Sequence, residues 1–147
     1  MMTVEKMSVF PASRHEVFKR LQHLETLQYI AAPYATFEPV DANAPATWES
    51  GSTSSYRFKL FGLIPFGTHT IRIEKFDEAD GISSTEGNEH VPVWNHDITL
   101  CTIDPAHTRY TDRVSIDAGW KTPFVYVWAR CFYAHRQRKW LKLLATK

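Results

Sequence analysis

The sequence is poor in the features that mark several large classes of protein. Its six glycines form neither G-x-G-x-x-G nor a P-loop, so no backbone cradle for a nucleotide phosphate is encoded and no cofactor is expected. Its two cysteines, Cys101 and Cys131, make no C-x-x-C and sit in no cluster with zinc-ligand spacing. They read as free, buried thiols in a reducing compartment, and the expected location is the cytoplasm. No stretch reaches the ~18 consecutive apolar residues of a membrane span, and Met1 to Lys6 lack the layout of a secretion signal. Charge of one sign is also missing: 17 Lys and Arg stand against 16 Asp and Glu, a formal net charge of +1. Tracking many phosphates needs a clustered basic excess, so nucleic acid is not an expected partner.

What is present suits a single packed unit. At 147 residues with 44% hydrophobic side chains, the chain is expected to form one domain over 1–147, burying roughly 68–70% of its unfolded surface. The most linker-like stretch, Asp41 to Ala46, is too short and too central to separate two domains. Thr3 to Phe10 reads as a strand that Pro11 ends, and Ser13 with Glu16 spells a capping box. Val17, Leu21, Leu24 and Leu27 then recur at helical spacing, with a break near His23 to Glu25 that makes two short helices before Pro33. Six strand-length pieces follow between Pro and Gly breakers: Thr36–Val40, Ser52–Phe61, Thr68–Phe76, Ile82–Glu86, Val93–Ile103 and Arg109–Ile116. Thr122 and Pro123 open a last helix of ~22 residues, ~33 Å long.

That order predicts an α+β fold in which seven antiparallel strands curve around the long C-terminal helix. Alternation of Tyr56, Phe58 and Leu60 with Arg57 and Lys59, and of Ile71 and Ile73 with Arg72 and Glu74, gives the sheet one buried face. The helix carries a stripe at three- and four-residue spacing, Tyr126, Ala129, Tyr133, Arg136, Trp140 and Leu144, for that face. Its first half is apolar on the other side too, at Phe124, Val127, Trp128, Cys131 and Phe132. The early helices, a ligand or a second copy of the chain in a homodimer are the three candidates to cover it.

Several motifs along the chain resemble those of the START-like, polyketide-cyclase-type superfamily, also called SRPBCC or birch-pollen-allergen-like. They are Val9-Phe10-Pro11-Ala12 with Val17-Phe18, Phe61-Gly62-Leu63-Ile64-Pro65-Phe66-Gly67, Trp94-Asn95-His96, Thr111-Asp112-Arg113-Val114 and Phe132-Tyr133-Ala134-His135-Arg136. The last three are similar to a bacterial branch of small single-domain members. The resemblance implies a helix-grip fold with a cavity between sheet and helix that takes lipids, sterols, polyketides or quinones. It does not imply one reaction.

Strand parity and helix phase give that cavity a wall: Tyr56, Phe58, Leu60, Ile71, Ile73, Trp94, His96, Ile98, Asp112, Val114, Tyr126, Tyr133 and Arg136. On the last two strands the apolar positions are all even-numbered, which turns His96 and Asp112 inward if even positions face each other. That register needs an odd loop or a bulge near Asp104 to His107. Tyr133 and Arg136 are then the expected partners of Asp112. The His96 and Asp112 pair has three readings: an internal structural network, an anchor for a ligand carbonyl or hydroxyl, or an acid/base pair. No catalytic assignment follows from the residues. His69, at the start of its strand, is expected to be solvated, and no metal site is expected, because His69, His96 and Asp112 lack local ligand spacing. Leu63, Ile64 and Phe66 form an apolar loop that is a lid at the cavity entrance, a point of contact with a membrane or partner, or a segment folded back on the core. The basic run Arg136, Arg138, Lys139, Lys142 and Lys147 complements the negative end of the helix dipole.

The leading expectation is a protein that binds, transports or sequesters an apolar or amphipathic small molecule. The alternatives are a cyclase or dehydratase using His96 and Asp112 for proton transfer, and an interaction module using the first half of the last helix.

Overall fold

The computed structural model describes residues 1–41 and 47–145; the linker-like residues 42–46 and Lys147 lie outside the described residues. Strand β1 (Met2–Phe10) leads to helices α1 (Arg14–Leu21) and α2 (Leu24–Ala31), then to β2 (Ala35–Pro39), β3 (Thr53–Leu60), β4 (Ile64–Asp77), β5 (Gly81–Gly87), β6 (Val93–Asp104) and β7 (His107–Asp117). A single 3-10 turn (Gly119–Lys121) enters the long helix α3 (Thr122–Ala145), of 24 residues. The strands form one antiparallel sheet in the order β1-β7-β6-β5-β4-β3-β2, so the first strand joins the last and the others follow as a meander.

Local chemistry accounts for the element ends. The Ser13 hydroxyl accepts from the Glu16 amide at 3.2 Å and caps α1. The Thr122 hydroxyl accepts from the Ala118 amide and donates to the Gly119 carbonyl, fixing the corner into α3. Register shifts between Arg57 and Lys59, Ile73 and Lys75, and Thr102 and Asp104 bend the sheet around the helix. Gly81 is required in the β4 to β5 turn: its φ is +98°, and an added Cβ would lie 2.7 Å from the Ile98 carbonyl oxygen.

The sequence reading starts β4 at Thr68, whereas the structure starts it at Ile64, paired with Leu60. The hairpin closes through Phe61 and Gly62, both at positive φ, with the Leu63 amide bonded to the Leu60 carbonyl. Positive φ at both central residues is the hairpin-turn geometry, and phenylalanine rarely signals it. Leu63 and Ile64 remain exposed at 83% and 56%, while Phe66 packs on Phe58 and His90.

Side chains between sheet and α3 form two packed groups. One holds Tyr56, Phe58, Trp94, Phe132 and Tyr133; the other holds Phe10, Tyr110, Trp140 and Leu144 with Val17 and Ile30 from the short helices. Of the expected helix stripe, Ala129, Tyr133, Arg136, Trp140 and Leu144 are buried and Tyr126 is half-buried. On the opposite side Trp128 and Phe132 stack at 4.7 Å and turn inward, leaving Phe124 and Val127 exposed. Both cysteines are exposed, contrary to the sequence expectation. Cys101 falls on an odd position of β6, the outer face, and Cys131 on the outer side of α3. No described helix is long and apolar enough to cross a membrane.

Candidate functional site

Sheet, α3 and the two short helices line a cavity of about 80 Å³, several times the ~10–15 Å³ one water needs. Its floor comes from the sheet at Phe58, His69, Ile71, Ile73, Trp94, His96 and Ile98. Helix α3 supplies Trp128, Phe132, Tyr133 and Arg136, and α1 and α2 supply Leu21, Thr26, Leu27 and Ile30. Tyr56, Leu60, Asp112, Val114 and Tyr126 of the expected wall lie outside this lining. Tyr56 and Val114 are core, and Asp112 sits behind His96.

The even-numbered register of β6 and β7 holds: His96 pairs with Val114, Ile98 with Asp112 and Leu100 with Tyr110, and the irregularity falls at Thr102 and Asp104. His96 and Asp112 therefore both point inward, with Nε2 of His96 2.7 Å from Oδ1 of Asp112. The remaining partners of Asp112 differ from expectation. Tyr110 donates to Oδ1 at 3.0 Å and Gln137 to Oδ2 at 3.1 Å. Arg136 acts on Asp112 through charge, and Tyr133 accepts instead from the Trp94 indole at 3.0 Å.

Behind His96 the network continues through two groups the sequence reading did not join to it. Nδ1 of His96 lies 3.7 Å from Oε2 of Glu86, and Oε1 of Glu86 lies 2.8 Å from Nε2 of His69. Ser84 donates to Glu86 at 2.5 Å, and Asn88 meets the other nitrogen of His69 at 3.2 Å. His69 is buried, not solvated, because β4 begins four residues earlier than expected and His69 lies well inside the strand. Glu86 carried a readable signal: Ile82, Ser84 and Glu86 share one parity on β5. The short helices gave none, since their register over the sheet is a tertiary property.

Burial and pairing oppose one another in this cluster. Burial alone would raise the Glu86 carboxyl, but the hydrogen bond from His69 and the imidazole of His96 nearby outweigh it and hold the group below its ordinary range. Burial would likewise raise Asp112, and the His96 hydrogen bond with the Arg136 charge leaves it lowered. For His96 burial pulls down, while the hydrogen bond to Asp112 and the Glu86 carboxylate nearby win and raise it. Tyr133 is pushed up, chiefly by burial. The two carboxyls, both lowered, thus face the raised imidazole of His96 and the Arg136 guanidinium. Among the described residues, no group of three or more His, Cys, Asp or Glu side chains is arranged to hold a metal ion.

A seven-stranded antiparallel sheet gripping a C-terminal helix over a cavity is the helix-grip fold. The chain belongs to the family described as a domain of unknown function, DUF8410, whose model matches residues 8–144. No curated protein matches it in sequence. Among solved structures it is similar to a START superfamily protein from Mycobacterium smegmatis, at 13% identity and a TM-score of 0.75, over 97% of both chains. It is also similar to Ara h 8.0201, at 14% identity and a TM-score of 0.67, over 99% of both. The Zhui aromatase/cyclase from Streptomyces matches at 14% identity and a TM-score of 0.63, over 97% of this chain and 90% of that one. These likenesses establish the fold.

Proposed function

We propose that residues 1–147 act as one START-like domain, in the cytoplasm, that binds an apolar or amphipathic small molecule such as a lipid, quinone or polyketide. The proposed contacts are Phe58, Ile71, Ile73, Trp94, His96, Ile98, Tyr133 and Arg136, with Leu63 and Ile64 at the entrance. One observation carries the reading: an aromatic-lined cavity ends on a buried cluster of charged groups beneath α3. Apolar walls supply burial, and a few convergent polar groups supply orientation, which is the make-up of small-molecule sites. Solved structures of the same fold include an aromatase/cyclase, which is compatible with either binding or turnover. Native mass spectrometry of protein purified from its own host, with organic extraction, tests the proposal. A single retained small molecule is expected; an empty protein that also takes up no apolar dye would overturn it.

A second reading, proton transfer in a cyclase- or dehydratase-like reaction, is favoured by the continuous run His69, Glu86, His96, Asp112. In that reading His96, held by Asp112 at 2.7 Å, exchanges the proton with the substrate. Turnover of a polyketide-like substrate that His96→Asn abolishes while binding persists would support it.

A further inference from the structure

The inference rests on the cavity-binding reading and concerns the polar end of the ligand. The polar groups around the cavity are unequal in what they still offer. His96 meets Asp112 and Glu86 through its two nitrogens, His69 meets Glu86 and Asn88, and Glu86 already accepts from Ser84. The buried cavity-lining atoms left without a partner, Arg136 Nε and Trp128 Nε1, are both donors. Arg136 is 5% exposed, and its Nε is buried with no partner. Among the described residues no hydrogen bond or ion pair reaches its guanidinium, which lies only against the rings of Tyr133 and Phe132, at 5.1 and 5.7 Å. Trp128 Nε1 is likewise buried and unpaired, and the Tyr133 hydroxyl accepts from Trp94 while its own proton has no acceptor among the described residues.

A guanidinium carries five donors in a planar fork and no acceptor. Burying it with those donors unmet is costly, and the group that fits the fork is a carboxylate. Glu86 and Asp112 do not fill that role: each is held by a histidine and reaches Arg136 only through longer-range charge. An alcohol oxygen can accept from the guanidinium but cannot match its two parallel N–H groups as a carboxylate does, and an amine would add a cation beside Arg136. We propose that the ligand is an apolar monocarboxylate, with its carboxylate held by Arg136 and the Tyr133 hydroxyl and its body along the Trp128 and Phe132 wall.

The test uses the intact chain, an environment-sensitive apolar dye, and displacement by octanoate or octanol at neutral pH. Octanoate is expected to displace the dye at a concentration about tenfold lower than octanol. In Arg136→Gln that ratio is expected to fall to about one, and in Arg136→Lys to an intermediate value. Equal displacement by both compounds in the unsubstituted chain overturns the inference and leaves cavity binding standing. A preference retained in Arg136→Gln overturns it as well. A chain that holds neither dye nor either compound removes the binding reading and the inference with it. If Arg136→Gln does not fold, the ratio in the unsubstituted chain and in Arg136→Lys decides.

Discussion

The indole nitrogen of Trp94, on β6, donates to the hydroxyl of Tyr133, on α3, at 3.0 Å in a fully buried position. This one bond ties sheet to helix beside the cavity, and both rings form part of its wall. Tyr133→Phe is expected to lower stability by about 1–3 kcal/mol, because it leaves a buried indole N–H without an acceptor. Urea unfolding at neutral pH measures this, and an unchanged midpoint would show that the bond contributes nothing.

Asp112 and His96 are each deeply buried and hold each other at 2.7 Å. Removing either side chain's partner role breaks the shortest contact of a buried pair, so Asp112→Asn and His96→Asn are each expected to cost ~3–5 kcal/mol. The double substitution is expected to cost less than the sum of the two. Strict additivity in a double-mutant cycle would mean that the two side chains are not coupled.

The lowered carboxyls and the raised imidazole set opposite flanks of a pH profile. Glu86 and Asp112 lie below their ordinary values of 4.5 and 3.8, so their contribution is present above those values and is lost as pH falls through the folded ones. His96 lies above its ordinary 6.5, so its contribution is full below that value and is lost as pH rises through the folded one. Stability is expected to peak between about pH 4.5 and 6.5 and to decline on both sides. A denaturant midpoint at about pH 9 equal to that at about pH 5.5 would contradict this assignment for His96.

Cys101 and Cys131 are exposed. Both are expected to react with a thiol reagent in the folded protein as quickly as after unfolding. A native protein that titrates fewer than two thiols would place one of them in an interface.

Much of this architecture was legible in the chain because it depends on short-range pattern. Ser13 and Glu16 predicted a cap that the structure contains, and even-numbered apolar positions on β6 and β7 predicted the inward turn of His96 and Asp112. Errors arose where a local rule met a longer-range one. The Phe61 to Gly67 segment reads as a loop, yet its turn uses two positive φ values and the rest joins β4. That longer strand buried His69, which otherwise stands at a strand start. Both cysteines obey strand parity and helix phase, whereas the general tendency of cysteine toward the interior pointed the other way.

The sequence by itself determined the element order, the phase of each strand and helix, and so which side chains face inward, since periods of 2 and 3.6 are properties of the backbone. Only the tertiary structure decided which inward groups meet. Glu86 joins His69 to His96, Gln137 replaces Arg136 as a direct partner of Asp112, and the short helices wall the cavity. Those contacts depend on the curvature of the sheet and the position of α3 across it. Both arise from bulges and packing summed over the whole chain, which no local period records.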